Sequence, residues 1–334
     1  MEKAASFTIK SNKKHRTAAE LLAHIIFTIC AFFAILAVIS ITVYMLINGL
    51  PAFFKVGVKE ILFSSVWAPA AAEPKYGILN VILTSVVGTG LAVLIGVPIG
   101  LFTAIFLAEI APKKVAAVIQ SAVELLAGIP SVVYGLLGIY LLCPVMYKLE
   151  LAIFAGSTTH QFTGGANLLA AVLVLAIMIL PTVINISTSA LRAVPGQIKA
   201  ASLALGASHI QSIFKVIIPA AKSGIISAVI LGVGRAIGEA MAITLVSGSS
   251  VNFPLPFNSV RFLTTAVVAE MGYSSGVHRQ VLFTIGLVLF FFIMLINVLM
   301  TKLLKHGKHV TWSSTRISLK KLIVLRTCTV FCKI

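Results

Sequence analysis

The chain has 334 residues, of which 59% are hydrophobic and 10% charged, and its mean hydropathy is +1.07. Soluble domains carry about a quarter charged residues, so a water-soluble domain is excluded and an integral membrane protein is predicted. The nine acidic residues are all Glu, which excludes Asp-dependent chemistry such as EF-hand calcium loops and aspartyl-phosphate intermediates.

Six apolar stretches are each long enough to form a spanning helix, which needs roughly 20 residues. They are residues 24–47, 78–108, 115–147, 167–187, 225–246 and 281–304. The sequence therefore predicts an all-α integral membrane protein with six transmembrane helices. Its parts are an N-terminal segment (1–22), a transmembrane domain (23–304) that includes a polar loop at 192–224, and a basic C-terminal tail (305–334).

Basic residues are distributed unevenly around these spans. The N-terminal segment, Lys113, Lys114, the polar loop and the tail all fall on one side of the membrane in the predicted topology. Because Lys and Arg concentrate in cytoplasmic segments, both termini and the polar loop are predicted to be cytoplasmic. The net charge of +17 then reflects topology, and no nucleic-acid partner is predicted.

The cysteines and histidines show no metal-ligand spacing. Cys30 and Cys143 lie in apolar stretches, where Cys behaves as a small hydrophobe, and Cys328 and Cys332 lie in the tail. We also find no Ser/His or paired-acid arrangement in the apolar stretches. The sequence therefore predicts no metal site, no catalytic residue and no cofactor in this chain.

A few polar residues near or inside the spans have specific predicted roles. Trp67 and Tyr76, between the first two spans, are expected to anchor at a membrane–water interface. The third stretch breaks at Pro130, and its first half is predicted to be a partly amphipathic entry that carries Gln120 and Glu124. We interpret Glu124 as structural, paired across helices.

The polar loop is predicted to contain two helical segments. Residues 197–207 are rich in small side chains, which allow close approach by another protein's backbone. Residues 210–218 carry apolar side chains at helical spacing, and Pro219 is expected to stop or kink that helix. From periodicity alone, a helix bound by another protein and a partnerless amphipathic helix on the membrane surface fit equally well.

Within this loop the sequence resembles the EAA motif of permease subunits from binding-protein-dependent ABC importers. The matching positions are Ala200, Ala201, Ser202, Gly206, Val216, Ile218 and Pro219. Ala200 stands where the motif has an acid, and Ile218 stands for Leu. The resemblance implies a type I permease-like bundle whose cytoplasmic coupling helix docks on an ATPase. With an apolar surface and no acid, docking is predicted to rest on shape and apolar contact.

Further segments narrow the resemblance to phosphate-importer permeases of the PstC type. They are ELLAGIPSVVYG (124–135), AIMILPTVINIS (176–187), ALRAVP (190–195), GRAIGEAMA (234–242) and VRFLTTAVVAEMG (260–272). The resemblance covers about residues 25–305 and implies a multi-pass protein of the bacterial inner membrane. It also implies a paralogous PstA-type permease, a cytoplasmic ATPase dimer and an extracytoplasmic phosphate-binding protein as partners. ATP chemistry is assigned to the ATPase, since this chain has no GxxxxGK[ST] motif.

Arg235 and Glu239 are the charges predicted inside the fifth span. They are four residues apart, a spacing that puts both on one face of a helix. Either they form a pair that lowers the cost of insertion, or Arg235 attracts an anion while Glu239 fixes its rotamer and limits affinity. The resemblance favours the second interpretation. Arg261 in the following loop is a further candidate for the pathway, although a solvated loop charge explains it equally well.

Two other interpretations stay open. The substrate is an anion on the evidence of Arg235, and sulfate, molybdate or phosphonate are alternatives to phosphate. A stand-alone secondary anion transporter is a second functional class, which the lack of visible inverted repeats disfavours. The tail is expected either to lie on the inner leaflet, bound to membrane lipids, or to be a disordered extension.

Overall fold

The computed structural model describes residues 18–156, 160–299 and 301–302. In this part of the chain, six helical stretches have the length and composition to cross a membrane, which confirms the predicted six-span, all-α fold. They are Glu20–Lys55, Leu79–Ile110, Ser131–Phe154, Leu168–Arg192, His209–Gly238 and Gly276–Leu299. The predictions for the tail and for most of the N-terminal segment concern residues outside the described ranges.

The described elements are helices, short π-helical segments and one small hairpin. The helices are α1 (Ala18–Lys55), α2 (Val58–Phe63), α3 (Leu79–Ile105), α4 (Lys113–Gly128), α5 (Ser131–Leu137), α6 (Cys143–Phe154), α7 (Leu168–Arg192), α8 (Gly196–Ala204), α9 (His209–Ser212), α10 (Ile218–Gly238), α11 (Met241–Val246), α12 (Leu263–Glu270) and α13 (Gly276–Leu299). π-helical turns lie at Phe106–Ile110, Gly138–Leu142 and Ile213–Ile217, and strands β1 (Trp67–Ala68) and β2 (Lys75–Tyr76) pair antiparallel.

Helix α7 is the centre of the bundle. In its most apolar stretch 61% of the residues are buried, whereas in the most apolar stretch of α1 no residue is buried. Both α3 and α10 approach it at glycines: a Cβ added at Gly96 of α3 would stand 2.7 Å from Ile179, and one at Gly224 of α10 would stand 2.3 Å from Ala190. Such close approach is the usual basis of helix packing in membranes, where van der Waals contact drives association.

The third crossing, Ser131–Phe154, is preceded by a separate helix, α4, and both pack along α7. Helix α4 packs beside the C-terminal half of α7, where Val123 and Ile184 share a buried cluster. After the break at Pro130, α5 and the next turn pack beside the N-terminal half, where a Cβ on Gly138 would stand 3.1 Å from Val174. The predicted amphipathic entry is therefore a helix of its own that lines the bundle.

The fifth span differs from the prediction at both ends. It was expected at 225–246, but the helix begins at His209 and ends at Gly238. Pro219 does not stop it. A π turn at Ile213–Ile217 directly precedes the proline and accommodates its ring and its missing N–H group.

The segment between the first two spans also differs from expectation. Helix α1 continues through Pro51 to Lys55, and α2 and the hairpin follow. Trp67 and Tyr76 face each other across the hairpin with ring centroids 6.0 Å apart, and Tyr76 is buried. The prediction that Tyr76 anchors at a membrane interface was wrong, because its ring is buried in the protein. Trp67 is partly buried, and its anchoring stays a prediction.

The packing of α3 on α7 gives a stability prediction. We expect Gly96→Ala to destabilise the protein by about 1–3 kcal/mol, because the new methyl would also meet the Ala176 carbonyl at 3.0 Å. Gly90→Ala, in the same helix, is the matched control, since a Cβ there meets nothing within 4 Å. Thermal unfolding in detergent measures both, and equal melting temperatures would contradict close packing at Gly96.

Candidate functional site

Arg235 lies deep in the bundle. Its guanidinium donates to the Thr182 hydroxyl at 3.2 Å. Thr182 is 14 residues from the first residue of α7, Leu168, and 10 from its last, Arg192, which corresponds to about 21 Å and about 15 Å along the helix axis. Thr182 is therefore well away from both ends of α7, and Arg235 contacts it from the last turn of α10. That Arg235 lies inside the membrane stays a prediction.

Glu239 does not share a helical face with Arg235, and that prediction was wrong. Helix α10 ends at Gly238, and Glu239 is extended, with φ −73° and ψ 130°. Its carboxylate accepts from the Ala242 N–H at 3.0 Å at the start of α11, and its carbonyl accepts from the Thr264 hydroxyl at 2.7 Å. Among the described residues the two side chains form no ion pair, so Glu239 does not fix the rotamer of Arg235.

The surroundings of Arg235 are polar at only a few points. The buried Tyr134 donates its hydroxyl to the Leu126 carbonyl at 2.7 Å, which joins the two helices on either side of the Pro130 break. Arg235 itself is only partly buried. Its guanidinium has five N–H donors, of which Thr182 receives one, so it can present positive charge to a ligand.

Arg261 is bound by protein groups. Its guanidinium forms an ion pair with Glu270, and its Nε–H donates to the Ser249 carbonyl at 2.8 Å. Ser249 has φ +64°, a left-handed conformation that is uncommon for residues other than glycine. Arg261 thus holds a strained turn in place. Its predicted part in the substrate pathway stays a prediction.

Glu270 is the hub of this region, and sequence analysis missed it. The buried carboxylate also accepts from the Trp67 indole N–H at 3.1 Å and lies 2.7 Å from His278 Nε2. Tyr76 lies beside His278, and burial raises the pKa of its hydroxyl, which stays protonated. One acid therefore ties together the hairpin, the 248–262 loop, α12 and α13. We call this side of the molecule the Glu270 end.

A second buried acid, Glu150, lies in α6 and binds the loop before α7. Glu150 is fully buried; it accepts from the Thr163 N–H and hydroxyl at 3.0 Å each and lies 2.8 Å from His160 Nε2. His160 stacks on Phe154, with ring centroids 3.9 Å apart. This cluster fastens the end of α6 to the loop that leads into α7.

The segment that carries the EAA-like motif is a capped helix followed by a sharp turn. Helix α8 ends in a Schellman motif: the Gly206 N–H donates to the Leu203 carbonyl, and the Ala207 N–H donates to the Ser202 carbonyl. Gly206 has φ +85°, which explains why the motif has glycine here. Ser208 then caps α9 in a capping box with Gln211.

One face of this segment is fixed to the bundle. Lys199 forms an ion pair with Glu109 at 2.5 Å, and His209 Nε2 lies 3.3 Å from the Glu109 carbonyl. Ser202 is buried, as are Ile213 and Ile217 of the following π turn. We call this side of the molecule the Glu109 end.

The opposite face of the segment is open. Leu205 is 90% exposed, and Leu203, Ile210 and Phe214 are also exposed. Of the motif positions, Ala200, Ala201, Gly206 and Pro219 are exposed, whereas Val216 and Ile218 are partly buried. The segment thus presents exposed apolar side chains and is held to the bundle on its other side. Ala200 is also exposed on this segment.

The comparisons with known proteins identify the class. Residues 96–306 match the family model described as "Binding-protein-dependent transport system inner membrane component", and the chain belongs to this family. It is therefore a multi-pass permease subunit of an ABC importer in the inner membrane.

Individual relatives agree with this family. The chain is 40% identical over 301 residues to a probable ABC transporter permease protein, YqgH, of Bacillus subtilis, with 87% of this chain and 94% of the relative covered. It is 33% identical to the phosphate transport system permease protein PstC of Xylella fastidiosa, with 80% and 84% covered. A bacterial ABC transporter for alginate has a similar fold, with a TM-score of 0.58 at 14% identity and 87% and 96% coverage.

The Glu270 hub gives a prediction that a double-mutant cycle tests. Glu270→Gln and Arg261→Gln should each destabilise the protein by about 3 kcal/mol, because each leaves a charge inside the protein without the opposite charge of this ion pair. The double variant should cost clearly less than the sum. Glu60→Gln, at an exposed acid, is the control for loss of one negative charge. Additive effects on the melting temperature would show that the pair is not coupled.

Proposed function

We propose that this chain and a paralogous PstA-type permease form the path for inorganic phosphate in an ATP-driven importer. A binding protein outside the membrane delivers the phosphate. The observation that carries the proposal is Arg235, a cation held by Thr182 deep in the bundle. The substrate is supported by relatives named as phosphate permeases, from 29% to 34% identical to this chain.

Arg235 serves as a low-affinity binding site for the anion. A charge at mid-membrane costs about 3 kcal/mol on insertion scales, so a membrane protein retains one where it faces a polar path. The contact with Thr182 orients the guanidinium and leaves donors free for an oxyanion. With one cation and no second basic partner described beside it, the site binds loosely enough to release its ligand.

ATP hydrolysis belongs to a separate ATPase, so this chain is not itself an enzyme. The exposed Leu205 and Ile210, on a base fixed by Lys199 and Glu109, form the surface that enters a groove of the ATPase. The Glu109 end then faces the cytoplasm, which agrees with the excess of basic residues there. The Glu270 end faces the binding protein.

Arg235→Gln tests the pathway. In proteoliposomes that contain the whole complex, with binding protein outside and ATP inside, we expect phosphate uptake to fall by at least about tenfold, because the charged hydrogen bond to the anion is lost. Lys222→Gln, at an exposed lysine of the same helix, should leave uptake near normal. Normal uptake by the Arg235 variant with the complex intact would refute the role. Competition by sulfate, molybdate and phosphonate tests the substrate.

Docking is tested at the exposed leucine. Leu205→Ser should weaken co-purification of the ATPase subunits by about tenfold, because an anchor that fills a pocket is lost. Ala200→Glu, which restores the acid of the motif, should leave association unchanged if apolar contact alone supports docking. Markedly tighter association of the Ala200 variant would show that docking depends on charge.

A further inference from the structure

A polar cleft opens at the Glu109 end, between α4, the turn that ends α3 and the last turn of α7. Its volume is about 530 Å³. Small apolar residues form its floor, and its polar lining consists of Lys113, Gln120, Ser121, Glu124 and Arg192. No role has been assigned to this cleft so far.

Two cations supply donors to the cleft. Lys113 is exposed and has no ion-pair partner in the described part of the chain. Arg192 donates one N–H to the Leu107 carbonyl at 3.3 Å. That contact holds the guanidinium at the rim, and four of its five N–H groups stay available.

Gln120 orients the acceptor of the cleft, the Glu124 carboxylate. Its amide nitrogen donates to Glu124 at 3.2 Å and to Asn185 Oδ1 at 2.9 Å. Because a carboxylate only accepts hydrogen bonds, the NH₂ group must face Glu124, which fixes the orientation of the amide. Gln120 Oε1 is then buried, so the exposed Glu124 carboxylate, held by the Gln120 amide, is the acceptor that a ligand in the cleft can reach.

A polar stripe joins this cleft to Arg235. Thr182, Asn185, Ser189 and Arg192 follow one another at spacings of three, four and three residues on α7, so they lie on one face. The stripe begins at the contact of Arg235 with Thr182 and continues to the cleft through Asn185 and Gln120. It is about 15 Å long.

We propose that the cleft is a second anion site, which takes a protonated phosphate group after it leaves Arg235. The inference rests on the proposed function and adds an exit station to it. Lys113 and Arg192 donate to the charged oxygens, and the P–OH group donates to the exposed Glu124 carboxylate. Sulfate has no proton at neutral pH, so it meets the charge of Glu124 without a hydrogen bond to offset it. The same acid limits affinity, which favours release.

The experiment uses the complete complex in nanodiscs, without binding protein or ATP and with Arg235→Gln throughout to remove the first station. Saturable broadening of the phosphorus NMR line of millimolar inorganic phosphate reports weak binding. Lys113→Gln and Arg192→Gln should each weaken it about tenfold. Lys114→Gln removes the same charge from the neighbouring residue outside the cleft lining and should have little effect. Sulfate should compete poorly, and Glu124→Gln should remove that preference.

Three results would overturn the proposal. The first is line broadening that neither the Lys113 nor the Arg192 variant changes, and the second is an equal loss of broadening in the Lys114 variant. The third is a co-purified lipid with a phosphomonoester headgroup that both cleft variants lose, while the broadening of the phosphate line stays the same. The last result would assign the cleft to lipid. Phosphate uptake by the complex without these substitutions separates this proposal from the proposed function. Normal uptake, with no broadening of the phosphate line, would refute the exit site alone. Broadening of the phosphate line, with no uptake, would refute phosphate transport alone.

Discussion

The fold depends on how closely α3 and α10 approach α7. Between helices in lipid there is little hydrophobic driving force, so stability comes from van der Waals contact, and contact at this range requires residues without a Cβ. Gly96 on α3 and Gly224 on α10 each allow this close contact with α7. Because α3 and α10 both pack against α7, the orientation of the other faces of α7 is set as well. One of them presents Thr182 and Asn185 to the polar groups of α10 and α4.

The charged residues of the described bundle divide into two kinds. Glu270 and Glu109 lie near the ends, each paired with a cation, and each joins segments that are far apart in the sequence. Removing one partner of such a pair lowers the stability of the protein, so these acids fix the positions of the loops. Arg235 is different, since its described side-chain partner is the neutral Thr182. A charge kept deep in the bundle without a counter-ion is the feature that best fits transport of an anion.

Most of the fold could be predicted from sequence, because span length and the Gly206-to-Pro219 spacing are local properties. The errors have physical causes. Pro219 was expected to stop or kink a helix, but the helix continues through it after a π turn just before the proline. Arg235 and Glu239 were placed on one face because the apolar run is continuous through the point where the helix ends. The contact of Glu270 with Trp67 joins residues 203 positions apart, and no local pattern encodes it.

The correction at Pro219 changes how movement reaches the candidate site. Since the helix continues from His209 to Gly238, Ile210 and Phe214 of the open face belong to the same continuous helix as Arg235. The 26 residues between His209 and Arg235 correspond to about 39 Å. The ion pair of Lys199 with Glu109 ties the same segment to the end of α3, which also packs on α7. A displacement of this open face would therefore reach Arg235 along a continuous helix, because Pro219 does not end it.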